Sequence, residues 1–308
     1  MIGIDVGGAN LKLVDEDGVH IHYCPLWKDS KLLELLSNYE DTDVAVVMSG
    51  ELADGFFNKI DGINYIVNTI HKVFPHAIFY GMDGQFHDSP CKELAAANWL
   101  ASVDYLRQKF PNGLMVDIGS TSTDIIPLND FKHLIGLTDT LRLQLGYLVY
   151  TGILRTPIAT LIQSVPINGV NTRVSTEYFA CSGDAHYVLG NINKTVYTTA
   201  TPDGKEVSYD ACMRRLARTV CADIEEIGEK NAINIATTFY NAQKNIICST
   251  INDVFTKSNL NEILVCGIGA PIFSPLIDGT DLSNIININS DALPAYSVRE
   301  LAIQQNSI

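Results

Sequence analysis

The chain of 308 residues lacks the features that assign a protein quickly. No apolar run approaches the roughly 18 residues that a membrane span requires, so no membrane partner is expected. Positive charge is scarce, with 21 Lys and Arg against 35 Asp and Glu, a formal net charge of −14. Such a field repels polyanions and excludes a sequence-independent grip on nucleic acid. The seven cysteines (24, 91, 181, 212, 221, 248 and 266) are odd in number and form no C-x-x-C pair. They suit neither a disulfide framework nor structural zinc, and point to reduced thiols in a cytoplasmic setting. Asp5 arrives with no basic leader or long apolar stretch before it, so no signal peptide is expected. Low-complexity linkers are also missing, which predicts lobes that share an interface and move about a hinge. Composition leaves the oligomeric state open.

What the chain does contain is a repeat. Residues Ile2 to Val14 and Leu114 to Ile126 each run an apolar strand into an aspartate, a Gly/Ser/Thr turn and a second apolar segment. A shift of 112 residues places Asp5 on Asp117, Gly7 on Gly119, Gly8 on Ser120, Asn10 on Ser122 and Leu13 on Ile125. Turns of small residues expose backbone N–H groups to phosphate oxygens, and an adjacent carboxylate can hold a divalent cation. Taken singly, each turn also fits an ordinary hairpin bend. Repeated at the start of each half of the chain, the pair predicts a clamp for a phosphorylated small molecule.

Strand and helix patterns alternate along the chain. Strands are expected at 3–6, 11–14, 19–23, 43–48 and 77–80, with Asp17-Gly18 as a hairpin bend, and helices at 30–39, 64–73 and 92–109. A strand from Leu114 restarts the pattern, with hairpin-like strands expected at 125–128 and 133–135. Helices are expected at 176–189, 209–230 and 232–255, a strand at 262–266, and a terminal helix at 295–304. Duplicated hairpins among alternating elements indicate an α/β fold. The lobes expected are 1–112, with the C-terminal helix 295–308 as its candidate last element, and 113–294. Both turns lead into strands rather than helices, unlike a P-loop or a dinucleotide site. The late Gly267-x-Gly269 has Ile272 where a third glycine would be needed.

The phrases Asp-x-Gly-Gly-x-Asn-x-Lys at 5–12, Asp-Ile-Gly-Ser-Thr-Ser-Thr-Asp at 117–124 and the Gly267 to Ala270 turn resemble the two phosphate motifs and the adenosine motif of the sugar kinase, actin and heat-shock chaperone superfamily. More narrowly, the chain resembles hydantoinase/oxoprolinase-like proteins of methanogens linked to tetrahydromethanopterin-dependent one-carbon metabolism. Met48-Ser-Gly-Glu-Leu-Ala-Asp54, Ala95-Ala-Ala-Asn-Trp99, Tyr150-Thr-Gly-Ile-Leu-Arg-Thr-Pro157 and Gly183-Asp-Ala-His-Tyr-Val-Leu-Gly190 carry that likeness across most of the chain. The resemblance implies a two-lobed, actin-like (ribonuclease H-like) α/β fold with a central cleft. It also implies a transferase of methanofuran biosynthesis, joining 5-(aminomethyl)-3-furanmethanol diphosphate to the phenol of γ-glutamyltyramine, with an aryl ether formed and diphosphate released. The alternatives are an ATP-dependent small-metabolite kinase or ATPase of the same superfamily, and a nucleotide-gated binding protein; fold alone does not choose among them.

Candidate roles follow residue by residue. Asp5 and Asp117, then Asp124 and Asp184, are the candidate Mg²⁺ ligands. Gly7, Gly8, Asn10, Gly119, Ser120, Thr121 and Ser122 are expected to present donors to the diphosphate, with Lys12 within reach of it and Gly267 and Gly269 in the adenosine-like turn. Arg155 is the candidate cation for the diphosphate or a substrate carboxylate. Glu51 and Asp54 are expected at the cleft edge or on the substrate amine. Asn98 and Trp99 either face the ligand or lie in the core, and His186 is a weaker candidate base. His20 and His22 share a strand face with no third ligand, which fits an exposed face better than zinc.

Overall fold

The computed structural model describes residues 1–28, 30–39, 42–286 and 290–306. It opens with three antiparallel strands, β1 (Ile2–Val6), β2 (Asn10–Val14) and β3 (Val19–Tyr23). The β2–β3 bend forms around Asp15, whose carboxylate accepts from the N–H groups of Asp17 and Gly18. Helix α1 (Leu32–Leu36), strand β4 (Val44–Met48), helix α2 (Lys59–His71), strand β5 (Ile78–Tyr80), the short strand β6 (Phe86–His87) and helix α3 (Asn98–Leu106) follow. The helix expected from residue 92 begins only at 98, because Ala96 takes φ +50° and separates α3 from a single 3₁₀ turn at Lys92–Leu94.

The second half restarts with β7 (Gly113–Ile118) and β8 (Thr123–Pro127), then α4 (Phe131–Leu134), α5 (Asp139–Leu145) and β9 (Leu148–Val149). The strand expected at 133–135 is replaced by α4, which buries Leu134, and β9 takes its place in the hairpin series. After α6 (Ile158–Leu161), a hairpin of β10 (Ser164–Ile167) and β11 (Val170–Arg173) turns through Asn168-Gly169, both at positive φ. Helix α7 (Ser182–Val188) starts later than expected because Asp184 accepts from the Cys181 N–H and fixes the helix start there. Helix α8 (Tyr209–Arg218) stops short of the expected 230, with Cys221 at φ +59°, and α9 (Ile224–Lys257) runs on with a break at Gly228. Strand β12 (Glu262–Cys266), α10 (Ala270–Phe273), β13 (Thr280–Asp281), α11 (Ser283–Ile286) and α12 (Leu293–Asn306) complete the chain. Residues 307 and 308 of the expected terminal helix lie outside the described residues.

The strands make two sheets of matching plan, β3-β2-β1-β4-β5-β6 and β13-β12-β7-β8-β9. In each, a central strand has its hairpin partner on one side and a parallel strand on the other: β1 lies between β2 and β4, β7 between β8 and β12. Side chains alternate across a strand, and that alternation decides what each face carries. Ile2, Ile4 and Val6 pack outward with Ile63, Ile66 and Ile70 of α2, while Leu114, Val116 and Ile118 pack outward with Ile247, Ile251 and Val254 of α9. Gly3, Asp5, Met115 and Asp117 are therefore left on the inner faces. One hydrophobic cluster joins Val47 of the first sheet and Met115 and Ile126 of the second through Trp99 and Val103 of α3 and Val298 and Ala302 of α12. Helices α3 and α12 thus lie between the two sheets, and the lobes share that core.

Gly3 lets α12 lie directly on β1: a Cβ at this position would collide with the Ala295 carbonyl and lie 2.7 Å from the Arg299 Cβ. Gly3→Val should overpack this contact and lower stability by about 1–3 kcal/mol in chemical denaturation. Unchanged stability would show that α12 does not seat on β1 this closely.

Candidate functional site

The two turns match to the level of single hydrogen bonds. Gly7 N–H donates to the Asn10 carbonyl at 2.9 Å, and Gly119 N–H donates to the Ser122 carbonyl at 2.9 Å. Val6 and Ile118, one step earlier in each copy, accept from Ser49 and Gly269 at 3.0 and 2.9 Å, the chain segments that leave β4 and β12. A glycine backs each turn from outside. A Cβ on Gly50 would lie 2.8 Å from the Gly7 carbonyl oxygen, and one on Gly152 would lie 2.5 Å from the Thr121 nitrogen. Ile153 N–H donates to Gly119 O, and Leu154 and Arg155 N–H to Ser120 O, all at 3.0 Å, which fixes the second turn on that segment. The N–H groups of Gly8, Ser120 and Thr121 meet no acceptor among the described residues. Both turns line one cavity of about 790 Å³ between the sheets.

Eight carboxylates and three basic side chains line this cavity. Residues 12 and 124 are where the two copies diverge: Lys12 stands across the hairpin from Asp5, whereas Asp124 stands across from Asp117. Lys12 Nζ is held by Asp291, at 2.8 Å from Oδ1 and 2.7 Å from the carbonyl oxygen. Arg142 of α5 pairs with Asp124 and, at 2.7 Å, with Asp139, while its guanidinium lies 4.5 Å from the Trp99 ring centroid. Asp5 is 4% exposed, and its Oδ1 has no hydrogen-bond partner. Burial pushes its carboxyl up to about 6, Lys12 opposing and Asp291 adding to the shift. Burial and then the facing Asp124 push Asp117 up to about 7, Lys12 again opposing. Negative charge at the cleft floor is thus incompletely compensated by the protein. No group of three His, Cys, Asp or Glu that could hold a metal occurs among the described residues. A cation at Asp5 and Asp117 would therefore take its other ligands from water or from a bound anion.

Of the residues singled out from sequence, Asp5, Gly7, Gly8, Asn10, Lys12, Asp117, Gly119, Ser120, Thr121, Ser122, Asp124, Arg155 and Gly267 all line the cavity. Gly269 is not among the lining residues and packs on the Ile118 side chain. Lys12 and Asp124 are already ion-paired, so neither presents a free charge. Asp184 requires a correction: it lies outside the cavity lining, fully buried, bonded to Arg215, Tyr197 and the Cys181 N–H. Its carboxylate holds α7 against α8 and is not placed to bind a metal in the cleft. His186 is also buried away from the cavity, bonded to Gln243, and burial lowers it to about 4. His20 and His22 bond Asp15 and Tyr39. Asn98 reaches the cavity while Trp99 is core. Arg155 is exposed, with Nη1 3.4 Å from Thr121 Oγ1 and the guanidinium 5.1 Å from the Trp27 ring centroid. Sequence reasoning missed Trp27, Asp139, Arg142 and Asp291, which reach the cleft through tertiary contacts that no local motif announces.

The raised carboxyls have a measurable consequence. Unfolded, Asp5 and Asp117 titrate near 3.8; folded, near 6 and 7. The folded protein binds more protons across that window, so the stability contributed below about pH 4 is lost as pH rises toward 7. In metal-free buffer each carboxylate should contribute a decline of at most about 1.4 kcal/mol per pH unit. Asp117→Asn should flatten the upper part of the curve, and an unaltered curve would contradict the raised pKa of that carboxyl.

The hydantoinase/oxoprolinase family matches residues 42–301. Over 99% of this chain and 98% of its own length, a (4-{4-[2-(gamma-L-glutamylamino)ethyl]phenoxymethyl}furan-2-yl)methanamine synthase from Methanocaldococcus jannaschii is 35% identical. A synthase of the same name from Methanococcus vannielii is 36% identical over 58% of this chain and 81% of its own. Among solved structures, nucleotide-free acetone carboxylase aligns with a TM-score of 0.55 at 10% identity, over 96% of this chain and 69% of its own, a likeness of fold alone. The fold is the two-lobed actin-like one, and the chain belongs to the hydantoinase/oxoprolinase family.

Proposed function

We propose that the chain is a cytoplasmic transferase of methanofuran biosynthesis that condenses 5-(aminomethyl)-3-furanmethanol diphosphate with the phenol of γ-glutamyltyramine. The observation that carries this reading is end-to-end similarity to a relative whose name describes a phenoxymethyl-furan methanamine. The cleft suits the chemistry, since two opposed turns with unbonded N–H groups fit the oxygens of a diphosphate. The kinase alternative draws no support from those relatives, both named as synthases.

In this reading the bond from the furanmethyl carbon to the diphosphate oxygen breaks and a bond from that carbon to the phenol oxygen forms. The phenol loses its proton and diphosphate leaves. The furan ring donates electrons to its CH₂, so positive charge can develop there as the leaving group departs. Negative charge develops on the diphosphate, and the Gly8, Ser120 and Thr121 N–H groups are fixed in advance to receive it. The incompletely compensated Asp5 and Asp117 fit Mg²⁺, which when bound would neutralise part of the diphosphate charge. Arg155 extends from the second turn to Trp27 and supplies the exposed cation of the cleft, for diphosphate or for the incoming phenolate, whose acid starts near pKa ~10.

Purified protein supplied with both substrates and Mg²⁺ should yield the aryl ether and diphosphate in equal amounts by mass spectrometry. Asp117→Asn should lower turnover at least about 100-fold with folding intact. Arg155→Ala should raise the KM for one substrate. ATP consumption with phosphorylation of a small metabolite, and no ether, would contradict the proposal.

A further inference from the structure

The proposed reaction leaves one buried group in the cavity without a task. Glu51 is 1% exposed, lines the same cavity as both turns, and its Oε2 has no hydrogen-bond partner. Among the described residues the basic side chain paired with it is Lys59, which is more than a third exposed and stands 3.9 Å from the other oxygen, too far for a hydrogen bond. Burial, and then the nearby Asp139, push the Glu51 carboxyl up, opposed by its own N–H, by Lys59 and by the Ala96 N–H. A buried carboxylate without a full partner is costly unless a cation joins it. The other seven carboxylates here differ: Asp124, Asp139 and Asp291 have basic partners, Asp5 and Asp117 face the turns, Asp54 is exposed, and Asp281 accepts from Ser283.

Glu51 also sits at a defined place relative to the diphosphate turns. Gly50 N–H donates to Val6 O at 3.0 Å and its Cα lies against Gly7, so Glu51 leaves directly from the back of the first turn. Asp139, its electrostatic neighbour, is bonded to Arg142, which holds Asp124 beside the second turn. Glu51 therefore lines the same cleft as both turns, one residue beyond the glycine that backs the first of them. Resting on the proposed function, we infer that Glu51 binds the primary ammonium of a substrate, the aminomethyl group of the furan diphosphate. That amine lies one ring away from the diphosphate, whereas the glutamyl amine of the second substrate lies beyond the whole tyramine. The contact would orient the furan so that its CH₂–O bond faces the phenol, and would select an aminomethyl furan over a hydroxymethyl one.

The test compares kcat/KM for three substrate pairs in the wild type and in Glu51→Gln: the natural pair, the diphosphate with hydroxymethyl in place of aminomethyl, and the natural diphosphate with glutaryl tyramide, which lacks the glutamyl amine. The wild type should prefer the aminomethyl diphosphate at least tenfold, and E51Q should lose that preference while treating the two tyramides as the wild type does. An E51Q enzyme that keeps the wild-type preference overturns the inference, as does a change confined to the tyramide arm. Should no ether form with any pair, the proposed function fails instead, and binding of furfurylamine decides about Glu51 separately. Saturable binding of furfurylamine, but not furfuryl alcohol, by folded wild type and its loss in folded E51Q would keep the ammonium site; equal binding by both proteins would overturn it.

Discussion

Two carboxylates, Asp5 buried and Asp117 half-buried, with too little positive charge beside them organise this molecule. Asp5 and Asp117 occupy the same position on the central strands of two matching sheets, and the alternation of side chains turns both inward. Burial alone would favour their neutral forms, and among the described residues the charge that opposes this is Lys12, itself held by Asp291. In the proposed function, an added cation would offset the charge at the floor of this cleft, and the unbonded N–H groups of its walls would donate to an anion. A metal-bound diphosphate would meet both demands at once. The closely packed glycines at 50, 152 and 267 hold the turns in place, because any side chain there would displace the loop backbone or Asp117.

The copies keep their backbone and exchange their charges. The turn-closing bonds, the N–H accepted from the segment after the neighbouring parallel strand and the order of five strands are the same in both lobes, β6 being an addition to the first. The cross-strand partner changes from Lys12 to Asp124, and each is neutralised by a residue from elsewhere in the chain, Asp291 before α12 and Arg142 on α5. Each lobe therefore depends on an element that enters late or from the side, and helices α3 and α12 between the sheets couple both turns to one core. A symmetric pair of turns thereby becomes an asymmetric site, with different groups available to different parts of a ligand.

The repeat, the strand-borne turns and the late strand were legible because each depends on local pattern: apolar alternation, small residues at a bend, and a fixed offset of 112. The third strand of the second hairpin is not legible, because His133 to Ile135 is too short to distinguish a strand from one helical turn, and α4 buries Leu134. The Asn168-Gly169 hairpin carries its signal in the dipeptide itself, both residues standing at positive φ. Asp184 is ambiguous in sequence for a different reason: a carboxylate three residues after Cys181 serves as well in a helix start as at a metal, and only the tertiary pairing with Arg215 separates the two. Arg142, Asp291 and Trp27 enter the cleft from distant segments, so local spacing could not disclose them.

The claim on which the rest depends is that two turns, 112 residues apart, grip one anion between them. Isothermal titration of the protein with diphosphate in the presence of Mg²⁺ addresses it most directly. One equivalent per chain is predicted, with affinity falling at least tenfold in Gly8→Pro and in Thr121→Pro, which each remove one turn N–H. Two equivalents per chain, or binding that survives either substitution in a folded protein, would contradict the account.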